Sequence, residues 1–198
     1  MLQNCLRRSE QLGIAPTRHI FCACVATQSA QLFEQNTGRA RYSLPVESFD
    51  TAEFIAPRTD SPYRLVNEFR ISTSKSGIGQ IKDSNKTPLG LHRIAEKIGD
   101  GCEAGTVFKN REVVGHLRDG LPLESITTRI LWLDGLEEGF NRGGNVDTHS
   151  RHIYIHGIGD QTTLGRPASL GCIHLSDADL IPLYGLLPIG TLVWISAE

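Results

Sequence analysis

The chain has 198 residues, 39% hydrophobic and 21% charged, enough for one soluble globular domain with a sizeable core. Its formal net charge of −2, with acids and bases interspersed, leaves neither a nucleic-acid footprint nor a membrane-surface stripe. No apolar run approaches the roughly 20 residues of a membrane span, and five cysteines, an odd count without framework spacing, point to a reducing setting.

Leu2, Cys5, Leu6, Ser9 and Leu12 recur at helical spacing, which predicts a short amphipathic helix at the N-terminus. The apolar run at 20–26 follows Arg18 and His19. It sits at the lower limit of a signal core, has no small-residue exit and also makes a good strand. A cytoplasmic location is the expectation, with the periplasm as the alternative. Residues 19–27 and 28–35 form a predicted hairpin. The pattern weakens over 36–62, an apparent insertion with a short strand at 41–46. Residues 63–72 alternate as a half-buried strand should. A loop rich in turn formers fills 73–90, and strands are expected at 91–98, 107–115 and 126–133. Another glycine-rich loop spans 134–150. Long loops of this kind are often functional. The run at 151–156 is a predicted strand with His152, Tyr154 and His156 on one face. Pro182 argues against a helix beginning at Ser176, so a helix is placed at about 180–187 with Asp179 as its N-cap. A strand at 191–196 closes the chain. The organisation expected is an N-terminal helical extension over 1–18 and a β-rich domain over 19–198 that carries the insertion at about 36–62.

Chemistry concentrates between Arg151 and Ser176. His156 ends one strand, and Cys172 follows a Gly/Pro-bearing loop. A cysteine and a histidine are the minimum for thiolate chemistry, the imidazole taking the proton and sulfur attacking. A buried structural cysteine is the bland alternative, but Ser169, Gly171 and His174 surround Cys172 with small and polar groups. Gly171 allows a sharp turn, and the Gly171 and Cys172 amides are candidate oxyanion donors. His152 and His174 compete with His156 as base. The same histidines, with His149 and Cys172, are conceivable zinc ligands. A strand cannot present His152 and His156 as an i, i+4 pair, and no HExxH occurs, so no metal is assigned. Ser72-x-x-Lys75 and Lys86-Thr87-Pro88 imitate serine acyl-enzyme motifs but crowd into one loop, which makes them coincidental.

Ile155-His156-Gly157, then Ser169-Leu170-Gly171-Cys172-Ile173-His174-Leu175, then 190–195 resemble the L,D-transpeptidase catalytic domain of the YkuD type. Gln28–Phe33 and Thr87-Pro88-Leu89-Gly90 fit the same pattern, so the resemblance spans about 20–196. It implies a mainly β, YkuD-like β-sandwich with short helices and a mixed sheet. It also implies a cysteine acyl-enzyme without cofactor that acts on peptidoglycan stem peptides or muropeptides. Carried over, Cys172 is the nucleophile, His156 the base, the Gly157 carbonyl its orienter and Gly171 part of the catalytic turn. Ser169, Tyr154, Arg166, His174 and Arg151 are expected around the substrate. Two positions depart from the family pattern: Leu170 replaces a histidine, and His174 replaces an arginine that Arg166, Arg151 or Lys75 would have to stand in for. The resulting expectation is an L,D-carboxypeptidase that trims D-Ala from tetrapeptides in wall recycling. A wall cross-linking transpeptidase and an inactive stem-peptide binding module are the alternatives.

Overall fold

The computed structural model describes residues 1–36 and 61–198. The predicted insertion and its strand at 41–46 lie almost wholly outside the described residues.

The strand His19–Cys24 (β1) shows how the sheet is built. All six residues are buried, because each face of the strand has a cover. Phe21 and Ala23 point into the main core. Ile20 and Cys22 point to the other side, under Leu2 and Cys5 of the helix Leu2–Gln11 (α1). The predicted hairpin forms with Ser29–Gln35 (β2), and Tyr63–Arg70 (β3) adds to its outer edge. The C-terminal strand Leu192–Ser196 (β10) does not close an edge. It inserts beside β1 in parallel, Ile20 opposite Leu192 and Cys24 opposite Ser196, and its other side pairs antiparallel with Gly90–Ile98 (β4).

The region 107–115 is a hairpin rather than a single strand. Thr106–Lys109 (β5) turns into Glu112–His116 (β6) through Asn110 and Arg111, with φ of 52° and 70°. Two successive left-handed residues make the tight turn that matches strand twist, and asparagine tolerates that region better than most residues. The signal was present as Asn110 inside an apparently continuous strand.

Ile126–Gly135 (β7) is the hub. It pairs with β4 over Ile130–Gly135 and with β5 at Ile126–Thr127 along one edge, and with Tyr154–Ile158 (β8) along the other. Thr128, at φ 69°, sits where the β7–β8 register shifts. Beyond β8 lies a short parallel strand, Ile173–Leu175 (β9). The β8–β9 arm lays Ile155, Ile173 and Leu175 against Phe21, Leu131 and Val193 in one core, so the mixed sheet folds over itself as a sandwich.

The second helix, Asp177–Leu186 (α2), begins three residues earlier than predicted. Ser176, not Asp179, is its N-cap, and the Ser176 hydroxyl accepts from the Asp179 N–H. Pro182 lies inside the helix and removes one hydrogen bond. An interior proline costs about 3 kcal/mol. Leu180, Leu183 and Leu187 are nearly fully buried, and at about 1.5–3 kcal/mol each their burial outweighs it. Among the described residues, no helix is long and apolar enough to cross a membrane.

Candidate active site

The parallel pairing of β8 with β9 brings the candidate residues together. Ile155 stands opposite Ile173 and His156 opposite His174. Continued one step back, the register sets Cys172 beside Tyr154. Side chains alternate, so Cys172 and His156 share a face as diagonal neighbours on adjacent strands. Both line one cavity of about 360 Å³.

His156 is buried, and its Nδ1 lies 2.7 Å from the Gly157 carbonyl. A carbonyl only accepts, so the proton is on Nδ1 and the lone pair is on Nε2. The ring packs 4.7 Å from that of His174, centroid to centroid. Gly157 admits no side chain, since a Cβ would meet the Thr127 carbonyl at 2.8 Å and Asp177 Oδ1 at 2.9 Å.

Cys172 is held by backbone on both sides. Its Sγ accepts from the Tyr154 N–H at 3.4 Å, and its thiol donates to the His152 carbonyl at 3.5 Å. Among the described residues no hydrogen bond joins sulfur to imidazole. The thiol proton must turn away from His152 to reach His156.

The turn before Cys172 depends on Gly171, at φ 124°. A Cβ there would approach Ile153 Cδ1 at 3.1 Å and the Lys86 carbonyl at 3.3 Å. Ser169 Oγ accepts from the Gly171 N–H and donates to the Cys172 carbonyl. This corrects one expectation: the Gly171 amide is already committed, and Ser169 shapes the turn instead of standing free for substrate. The Thr87-Pro88-Leu89-Gly90 segment braces the turn from outside. Thr87 Oγ1 accepts from the Ser74 N–H and donates to the Gly171 carbonyl. Thr87→Val leaves both backbone groups buried without a partner. We expect a loss of about 2–4 kcal/mol of stability, read by urea unfolding.

Burial pushes the Cys172 thiol up to about 11, against the Tyr154 N–H and the Arg151 charge. Burial pulls His156 down to about 4 despite its Gly157 bond, and His174 down to about 3, with His156 adding to the latter effect. At neutral pH the site is an uncharged thiol beside uncharged imidazoles. His92, fully buried between the Gly90 carbonyl and Thr148, is likewise lowered to about 4 by desolvation. Unfolding returns these three histidines to about 6.5. Below that pH the unfolded chain binds more protons, so the stability is complete above pH 6.5 and is lost as pH falls through 4. The melting temperature is expected to drop by at least about 10 °C between pH 7 and 4.5. A flat profile would show that the rings are not held neutral.

Tyr154, a substrate candidate, acts through its backbone. Its ring is buried edge-on against Trp132 at 5.4 Å, and its hydroxyl lies 3.4 Å from Arg111. His152 is not in the strand assigned to it, and its ring packs beside those of Trp132 and Tyr154. It precedes β8, with φ 56°, because the chain turns there to bring Cys172 under its carbonyl. His174 does line the cavity, with its Nδ1 buried and unpartnered. Arg166 is exposed and lies outside the cavity lining. Arg151 donates to the Lys86 carbonyl at 2.6 Å and lines a second cleft of about 270 Å³, with Lys82 and His152, on the far side of Leu170. Ser72 Oγ donates to the Thr163 carbonyl, so the serine of the serine–lysine motif is structural. Sequence reasoning missed Glu124 and Asp160, which line the main cavity with Lys75. They lie outside every motif. Parity along β8, continued from His156 through Ile158, is the one signal that leads to Asp160. Among the described residues no group of three or more His, Cys, Asp or Glu side chains is placed to hold a metal ion.

A folded-over mixed β-sheet carrying a cysteine–histidine pair beside a pocket defines a class of thiol enzyme scaffold. A sequence model of the L,D-transpeptidase catalytic domain, YkuD, matches residues 58–195, more than half of the chain, and the chain belongs to that family. The match begins after β1 and β2, so the hairpin similarity predicted from sequence lies outside it. Among solved structures, Bd1075 of Bdellovibrio bacteriovorus aligns over 92% of this chain and 49% of its own, with 15% identity and a TM-score of 0.54, a likeness of fold. An L,D-transpeptidase from Mycobacterium smegmatis aligns over 91% and 59%, with 14% identity and a TM-score of 0.47. The chain thus spans about half to three-fifths of the length of these structures. No curated protein matches it.

Proposed function

We propose that the protein is a cysteine acyl-enzyme peptidase that removes the terminal D-Ala from peptidoglycan stem tetrapeptides, with water as the acyl acceptor. The observation that carries this reading is the diagonal placement of Cys172 and His156 across β8 and β9, both facing the 360 Å³ cavity.

The chemistry follows from the protonation states. The Cys172 proton passes to Nε2 of His156 as sulfur attacks the carbonyl of the diamino acid's L-centre. Gly157 holds the imidazolium through Nδ1. With the Gly171 amide engaged, the Cys172 N–H is the turn's remaining donor for the oxyanion. Collapse breaks the C–N bond, and His156 returns the proton to the departing D-Ala amine. Water then attacks the thioester, gives its proton to His156, and releases the tripeptide acid and the thiol.

Leu170 supports water over an amine. It is 60% exposed between the two clefts and offers an acceptor amine no hydrogen bond. Transfer to an amine has one observation in its favour: a second, polar cleft of about 270 Å³, lined by Arg151, lies on the other side of Leu170, where part of an acceptor peptide would enter. Incubation with disaccharide tetrapeptide, followed by mass spectrometry, separates the readings. Free D-Ala with tripeptide product is expected. Cross-linked dimers would establish transfer. If neither product forms while the stem peptide still binds, the protein is a binding module.

A further inference from the structure

The cavity beside Cys172 is electrically lopsided. Residues of one parity along β8 form a row: Tyr154 level with Cys172, His156 level with His174, Ile158 paired with Ile126, and then Asp160. Asp160 N donates to the Leu123 carbonyl, which sets the segment carrying Glu124 at the same end. Lys75 lies at the opposite end. Its N–H donates to the Ser169 carbonyl, three residues before Cys172 on the strand side away from β8. All three charged residues line the one cavity, and the walls between them are largely apolar. Between thiol and acidic end sits His174, 7% exposed, with Nδ1 buried and unpartnered. A buried polar nitrogen left without a partner is rare and costly, which marks a place where a ligand's polar group belongs.

We propose that Glu124 and Asp160 are specificity residues that bind the side-chain ammonium of the substrate's diamino acid. Lys75 meets the carboxylate of the leaving D-residue, and His174 takes a hydrogen bond from the peptide between them. The proposal rests on the stem-peptide reading above and adds to it the orientation of the substrate. A peptide laid the other way would set like charges against each other at both ends, a penalty that suppresses the wrong register.

The test uses two synthetic tetrapeptides, L-Ala-γ-D-Glu-L-Lys-D-Ala and its L-norleucine analogue, which differ only in the ammonium. Binding is measured by calorimetry in a Cys172→Ala background, so that turnover does not intrude. The lysine peptide is expected to bind at least about fivefold tighter than the norleucine peptide. Glu124→Gln with Asp160→Asn should bring the two within about twofold and leave norleucine binding unchanged. Asp160→Asn keeps a side-chain oxygen to accept from the Thr162 N–H, so the local turn survives. Persistence of the preference in the double variant, parallel weakening of both peptides, or binding of neither would overturn the proposal. D-Ala release by the Cys172 enzyme is read separately. A charge preference without release would sink the acyl-enzyme reading alone, and equal release from both peptides without a binding preference would sink this one alone.

Discussion

Cys172→Ala is expected to abolish D-Ala release, a loss of at least about 10³-fold in kcat, with little change in stability. Cys172 is partly exposed at the margin of the Trp132–Tyr154 cluster, and among the described residues its sulfur makes two long hydrogen bonds, to the Tyr154 N–H and the His152 carbonyl. Removing it should cost no more than about 1–2 kcal/mol. Cys172→Ser is the sharper variant. Serine keeps a donor and an acceptor for the same two backbone groups, so the fold is preserved. Its hydroxyl is nevertheless a far weaker nucleophile than a thiol beside an imidazole whose pKa is only about 4. Comparable activity in the Cys172→Ser protein would show that the reaction does not pass through sulfur. A carbapenem adduct found by mass spectrometry on Cys172 alone would fix the acylated atom.

The second large effect concerns His156 and pH. A preformed thiolate–imidazolium pair requires a cysteine pKa below that of the histidine. Here the order is reversed, about 11 against about 4. The active form therefore has both groups neutral, and proton transfer accompanies attack. For kcat/KM this predicts a broad plateau. The acidic limb falls near pH 4, where His156 becomes protonated and can no longer accept, and there is no limb near 6.5. Alkylation of Cys172 by iodoacetamide should be slow at pH 7 and should accelerate toward pH 11, because only the thiolate reacts readily. His156→Gln is expected to lower kcat by about 10²–10⁴-fold. A narrow bell centred between 6 and 8 would show instead that a charged pair is present before substrate arrives.

The sequence pattern located most strands because they are short apolar runs or alternating stretches bounded by turn formers, β1 and β7 being of the first kind. It failed where one residue carried two meanings. Asn110 reads as a strand interruption or as a hairpin turn, and pairing with β7 decides for the turn. Pro182 reads as a helix barrier. Burial of Leu180, Leu183 and Leu187 overrides it, which no local rule registers. His152 shares parity with Tyr154 and His156 on paper, but its backbone is left-handed and β8 begins only at Tyr154.

For the site, the residues of the motif and their chemistry were legible in the chain: a thiol, an imidazole, and a glycine before the thiol. Their meeting was decided by the β8–β9 register, a contact between segments that sequence periodicity does not pair. Ser169 belongs to the turn through its bonds to Gly171 and Cys172, and Arg166 lies outside the cavity lining. Thr87, far along the chain, closes the turn through the Gly171 carbonyl. The acidic end of the cavity, Glu124 and Asp160, belongs to no motif, because charge recognition depends only on where a carboxylate arrives in space. The order of residues thus determined the strands and the type of chemistry, since apolar patterning and reactivity are local properties. Tertiary structure decided the strand pairing that sets His156 on the face of Cys172, the protons the site carries at neutral pH and the charges that line the cavity, since each depends on burial and on neighbours brought from elsewhere in the fold.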